Sequence, residues 1–181
     1  GQLTQVLSSV GFGFEEIGSV TGEPCIGNSG QRLWRLENSQ SLLVYYGLKN
    51  DGCEIISERL SKLRFEFPIG ISVAKTNDQN TVDEVSGIAD YLKDYMTFRN
   101  KNIGDYFTIN ISCPNAFGGE PFTDPEKLDR LLSEIIHKDP HPEKPIFLKM
   151  PAELPLDVVD RIIEVSRKYN VTGFICTNLA K

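Results

Sequence analysis

Short apolar runs alternate along this chain with longer segments whose apolar residues recur at helical spacing, the signature of successive βα units feeding a parallel sheet. Five runs read as strands: residues 13–18, 68–74, 106–112, 145–150 and 172–177, each bounded by Gly, Pro or charge. Between them the spacing predicts helices. Asp51 is placed to cap the first, with Ile55, Ile56, Leu60 and Leu63 turned inward. A second covers residues 82–98 and buries Val85, Ile88, Ala89, Leu92 and Met96. Asp124-Pro125 reads as a cap followed by proline in the first turn, opening a helix through Leu128, Leu131, Leu132 and Ile135. Residues 156–169 form the last, with Val158, Val159, Ile162, Ile163 and Val165 inward, and residues 3–10 read as the end of an earlier helix. Residues 19–36, rich in Gly and polar side chains, read as a long loop after a strand.

This order predicts an α/β fold, and specifically part of a (β/α)₈ barrel. A complete barrel takes about 250 residues. The 181 residues here supply five βα units, open on a helix and stop just after a strand. The expectation is one domain spanning residues 1–181, an incomplete barrel cut from a longer chain that begins without Met. Five parallel strands alone would leave two open edges, which natural proteins seldom tolerate uncovered.

Charge and composition narrow the chemistry. A net charge of −6, from 25 acidic against 19 basic residues, argues against a general nucleic-acid surface. No apolar run approaches the roughly 18 residues that a membrane helix needs. Cys25, Cys53, Cys113 and Cys176 form no C-x-x-C pair and no zinc spacing, so reduced thiols in a cytoplasmic protein without a metal site are the plain reading. Small-molecule chemistry is what remains.

In parallel α/β folds that chemistry gathers at the carboxyl ends of strands. The polar residues within or just beyond a predicted strand are Ser19, Ser72, Asn110, Cys113, Asn115, Lys149, Thr177 and Asn178. The segment from Asp105 to Asn115 is the most informative, a strand running into a turn forced by Pro114 that presents Asn110, Cys113 and Asn115 together. A stabilised thiolate can serve as a base, and carboxamides can both donate to and accept from a planar ligand. A buried structural cysteine flanked by backbone-supporting asparagines is the plainer alternative. Lys149 inside a strand resists a bland explanation because an unpaired buried ammonium is costly. Asn178 fits simple turn chemistry as well, Gly18 and Ser19 fit loop punctuation, and Ser72 is the least specific.

Asn110-Ile-Ser-Cys-Pro-Asn115 resembles the signature of dihydroorotate dehydrogenases of the cysteine-base type, and Gly118-Gly119 with Phe122-Thr-Asp-Pro-Glu126 is similar to the same class 1 branch. Residues 11–21, Gly27-Asn28, Arg32, Arg35-Leu36 and residues 46–52 look more like the quinone-reducing class 2 branch. The resemblance covers nearly the whole chain and implies the second to sixth strands of an FMN-binding (β/α)₈ barrel. It implies Cys113 as catalytic base; Asn110, Asn115 and Asn178 as substrate-binding; and Gly18, Ser19, Ser72, Asn110, Lys149 and Thr177 as lying against FMN. In that reading Lys149 stabilises the reduced flavin. The implied reaction is oxidation of (S)-dihydroorotate to orotate in pyrimidine synthesis, with fumarate, NAD or quinone as electron acceptor. A homodimer, and peripheral membrane association in the quinone case, are compatible with it.

Three positions depart from the family's pattern: Val44 and Ser72 stand where asparagine is usual, and Leu179 where Ser or Thr is usual. Each lost hydrogen bond to a polar ring costs about 0.5 to 1.5 kcal/mol. A related flavoprotein acting on another dihydropyrimidine-type ring, and a non-catalytic barrel segment, therefore stay open beside the main reading. The family's first strand and its last two, with the phosphate site, are not among these residues, so the 181-residue stretch alone is expected to bind FMN poorly and to be inactive.

Overall fold

The computed structural model describes residues 4–113 and 117–176. Five strands form one parallel sheet: β1 (Glu15–Thr21), β4 (Ile69–Ala74), β5 (Tyr106–Asn110), β6 (Ile146–Lys149) and β7 (Gly173–Ile175), in the spatial order β1-β4-β5-β6-β7. Apart from an inserted hairpin, chain order and spatial order coincide. A doubly wound sheet reverses its strand order at a switch point; this sheet does not, so it has the topology of an arc of a (β/α) barrel. Helices α1 (Gly52–Leu60), α2 (Glu84–Asn100), α3 (Pro125–Lys138) and α4 (Leu156–Lys168) occupy the connections.

Alternation along the strands separates two faces. In β5, Phe107 and Ile109 are fully buried in the core with Ile69, Ile71, Val73, Ile146 and Leu148. Tyr106, Thr108 and Asn110 take the other face. Thr108 there donates to the Glu16 carboxylate across β4 at 2.6 Å, and the Tyr106 ring meets Phe147 edge-on at 5.5 Å. Burial, with the nearby Glu16 charge, pushes the Tyr106 hydroxyl up to about 12. Gly70 lies beside Tyr106 because a side chain would collide with it: a Cβ would stand 2.0 Å from the ring. Polar groups thus collect on the inner side of the arc, and the apolar side takes the helices.

All five predicted strands are present; β1 starts two residues later and runs three residues further than expected, the other four are shorter, and α3 is as predicted. The Asp124 carboxylate accepts from Glu126 N–H at 2.9 Å and Lys127 N–H at 3.1 Å with Pro125 opening the helix. Leu128, Leu131, Leu132 and Ile135 are all buried. α4 buries Ile162 and Val165 and packs Val158 and Val159 against the core.

Five expectations need correction. Asp51 holds the N-cap position of α1 but its side chain makes no capping bond; the Asn50 side chain accepts from Gly52 N–H at 2.8 Å, while Asp51 pairs with Arg59 at 2.8 Å. Ile55 is exposed, because the buried side of that helix carries Cys53, Ile56, Ser57 and Leu60. In α2, Val85 and Ala89 face solvent, and the buried side is Gly87, Asp90, Tyr91, Asp94, Tyr95 and Phe98. The predicted loop 19–36 ends in a strand: β2 (Leu33–Leu36) pairs antiparallel with β3 (Ser41–Val44) in a hairpin of its own. Four-residue strands with both sides largely exposed carry too little alternation to be seen in sequence. Residues 8–10 form only a short 3-10 turn where a helix end was expected.

Candidate active site

The carboxyl ends of β1, β4, β5 and β6 bring the predicted residues together. The register of β1 on β4 shifts between Ile17 and Val20, which throws Gly18 and Ser19 out of the regular ladder. Gly18 has φ 136°, a backbone angle that favours glycine, and a Cβ there would lie 2.5 Å from the Ser72 carbonyl oxygen. The peptide joining Gly18 to Ser19 is cis. This bulge carries Ser19 over β4, where its hydroxyl shares a 2.8 Å hydrogen bond with the Ser72 hydroxyl. Asn110 Nδ2 donates to Ser19 Oγ at 2.7 Å. Three strands are therefore linked by one chain of side-chain hydrogen bonds.

Asn110 also organises the turn that follows it. Its Oδ1 accepts from Ser112 N–H and from the Ser112 hydroxyl, both at 3.0 Å, an Asx-type turn that stops β5 and redirects the chain at Cys113. The Asn110 carbonyl accepts from the Tyr91 hydroxyl at 2.7 Å, and burial pushes that hydroxyl far above its ordinary range. With both ends of the side chain and the carbonyl engaged, Asn110 is fixed in one orientation. Lys149 is the register partner of Asn110 on β6, half-buried at the same end of the sheet. Cys113 is half-buried and not disulfide-bonded.

Gly18, Ser19, Ser72, Asn110, Lys149 and Cys113 thus share one end of the sheet. Asn115, Thr177 and Asn178, with Leu179, lie outside the described residues. Val44 stands in β3, half-buried opposite Leu33. A hollow of about 320 Å³ borders Gly18 and Ser19, with Tyr46, Lys49 and Arg59 among its walls. A larger one, about 760 Å³, lies at the opposite end of the strands, between residues 63–69 and 101–105. Size alone therefore points away from the polar cluster.

Several supporting residues escaped the sequence reading. Asp90 accepts from Thr76 N–H at 2.7 Å and from the Thr76 hydroxyl, holding the exit of β4. Burial raises the Asp90 carboxyl while the Thr76 bonds pull it back. Lys75, directly after β4, is 4% exposed and donates to the Phe117 carbonyl at 2.8 Å. The rule that selected Lys149, a polar residue within or just beyond a strand, would have selected Lys75 and Thr76 too. For Asp90 and Tyr91 no such signal existed, since mid-helix polar residues are normally solvated.

Two hydroxyls and a carboxamide joined by hydrogen bonds, with Lys149 in register on the next strand, suit the polar edge of a planar heteroaromatic cofactor. The family model described as dihydroorotate dehydrogenase matches residues 1–180. A dihydroorotate dehydrogenase (quinone) of Haloarcula marismortui is 32% identical over 176 residues, covering 97% of this chain and 48% of that protein. One from a Nostoc species is 36% identical over 183 residues, covering 98% of this chain and 46% of its own length. The chain thus spans about half the length of the curated relatives it matches. Among solved structures, that of DHODH from Eimeria tenella in complex with ferulenol superposes with TM-score 0.83 at 21% identity, over 98% of this chain and 53% of that one. At that identity the likeness speaks for the fold, a segment of a (β/α)₈ barrel.

Proposed function

The chain belongs to the dihydroorotate dehydrogenase family, and on that premise we propose that the intact protein oxidises (S)-dihydroorotate to orotate in pyrimidine synthesis, with FMN as cofactor and quinone as electron acceptor. The observation that carries the reading is the hydrogen-bonded set Ser19, Ser72 and Asn110 with Lys149 in register beside it and Cys113 just beyond, all at one end of the sheet. Among fumarate, NAD and quinone, the names of the relatives support quinone.

Gly18, Ser19, Ser72, Asn110 and Lys149 would hold the flavin, whose bound ring supplies the acceptor for the hydride leaving C6 of the substrate. Lys149 offers a positive charge where negative charge builds up during reduction. Asn110, already fixed by Tyr91 and Ser112, would orient the substrate ring, joined by Asn115 and Asn178. Cys113 as thiolate would take the C5 proton, forming an S–H bond as the C–H bond breaks. Serine at 72, where asparagine is usual, keeps a polar group in the cluster, its hydroxyl bonded to that of Ser19.

The test is anaerobic mixing of the flavin-loaded intact protein with dihydroorotate, followed by absorbance. Flavin bleaching is expected within one turnover, and Cys113→Ala should slow it by about 10² to 10⁴, the usual contribution of a positioned base. Bleaching at an unchanged rate in Cys113→Ala would remove the thiol from the mechanism. Bleaching by another dihydropyrimidine but not by dihydroorotate would move the protein to a different substrate.

A further inference from the structure

Phe117, four residues after Cys113, is gripped by side chains from the loop that leaves β4. Lys75 Nζ donates to the Phe117 carbonyl at 2.8 Å and to Thr81 Oγ1 at 3.3 Å. Asn77 Oδ1 accepts from the Phe117 N–H at 2.5 Å. Both backbone polar groups of Phe117 are thus held by side chains of one short loop, although the Phe117 ring itself is 57% exposed. A surface loop ordinarily leaves such groups to water, at no cost. Asn77 in turn is anchored, its Nδ2 donating to the Gly47 carbonyl at 3.0 Å and to Asn28 Oδ1 at 3.4 Å. The grip is thereby tied to the two loops that carry Asn28 and Gly47, between β1 and β2 and between β3 and α1.

Lys75 is an expensive way to hold a carbonyl. Burying an ammonium costs free energy that only close partners offset. Burial pushes it toward the neutral form, while Asp90, then Cys113, then Asp78 favour the charged one. Lys75 and Cys113 line the same cavity of about 10 Å³, room for roughly one water. The other titratable groups on that cavity are Tyr91 and Glu120. A methionine would fill the space equally well, so the charge calls for a reason beyond packing.

We propose that Lys75 and Asn77 are positioning residues for Cys113: together they clamp the Phe117 peptide groups to set where the thiol sits, and Lys75 adds a positive charge beside it that favours the thiolate. This rests on the reading of Cys113 as the base, but its first readout does not depend on that reading. An ammonium next to a thiol increases its thiolate fraction at neutral pH.

The experiment uses the intact protein and follows iodoacetamide labelling of the Cys113 peptide by mass spectrometry across pH, which separates it from the exposed Cys176. In parallel, flavin reduction by dihydroorotate is timed anaerobically. Lys75→Met should move the labelling midpoint upward and lower the rate at pH 7 roughly tenfold, the size of one pH unit, with Lys75→Arg restoring most of it. Asn77→Ala keeps the charge, so its midpoint should stay while flavin reduction slows several-fold. A folded Lys75→Met protein with an unmoved midpoint overturns the charge role. An Asn77→Ala protein with unaltered flavin reduction overturns the clamp, and decides it even if Lys75→Met does not fold. A shifted midpoint with undiminished flavin reduction in Lys75→Met upholds the Lys75–Cys113 coupling and refutes Cys113 as the base.

Discussion

Helices α2 and α3 are neighbours packed on the same sheet, and only one of them could be read correctly from its sequence. α3 turns four leucine and isoleucine side chains into the core from a capped start, and its pattern says so. α2 shows an apolar stripe as well, and Ile88, Leu92 and Met96 of that stripe pack partly buried against the core, but the stripe misses the most buried side of the helix. Val85 is 79% exposed, whereas Asp90, Tyr91, Asp94 and Tyr95 lie inside. The cause is what each helix packs against. α3 meets apolar side chains and α4; α2 lies behind the exits of β4 and β5, where Tyr91 serves Asn110 and Asp90 serves Thr76. Further along, Tyr95 packs on Phe107 near the start of β5 and reaches Asp139 at the end of α3 at 2.7 Å. Polar groups needed at the site are supported by polar groups in the layer behind it, and a hydrophobic pattern misplaces the helix that supplies them.

The contrast can be broken most forcefully on α3. Leu131→Ala removes a fully buried side chain and should cost the intact protein about 2 to 5 kcal/mol of stability by denaturant titration. Flavin reduction by the protein that stays folded should be unchanged; a loss of chemistry equal to the loss of stability would mean that α3 too supports the site.

On α2 the informative change is electrostatic. Asp94 is fully buried, and burial first, then the nearby Asp90, hold its carboxyl well above the usual range. A raised carboxyl contributes its stability in the protonated form, fully present below the ordinary carboxylate range and lost as pH rises through the shifted value. Asp94→Asn stays neutral throughout. It should match the parent near pH 4 and exceed it by about 3 °C or more in melting temperature at pH 8, on the scale of a 1 kcal/mol change. Equal melting temperatures at both values would show that Asp94 ionises inside the protein without penalty.

The smallest effect is expected where the apolar pattern misleads most. Val85→Ser, at a position that sequence periodicity assigns to the core, should change stability by no more than about 0.5 kcal/mol. A loss of 2 kcal/mol or more would mean that this face of α2 is covered in the intact protein.

The sites show the same division. The motif from Asn110 to Cys113 announces itself because a strand, an Asx turn and a proline must follow one another within a few residues, all local chemistry. Lys149 announces itself because a charge inside an apolar strand demands a partner. The clamp from Lys75 and Asn77 to Phe117 is invisible by comparison, since it joins side chains and backbone some forty residues apart and each looks like ordinary loop composition. Asn115, Thr177 and Asn178 remain expectations of the sequence.

By itself, then, the sequence determined the alternation of strands and helices, the end of the sheet where chemistry gathers, and the family, because local hydrogen bonding, hydrophobic period and turn chemistry act over a few residues at a time. Tertiary structure alone decided which side of α2 is buried, that the Asn50 side chain rather than that of Asp51 accepts from the first N–H of α1, that residues 33–44 pair as a hairpin, and that Ser19, Ser72 and Asn110 touch. These depend on which elements lie side by side. The free energy of a buried carboxylate or hydroxyl is set by the partners it meets there, and its neighbours in the chain do not reveal them.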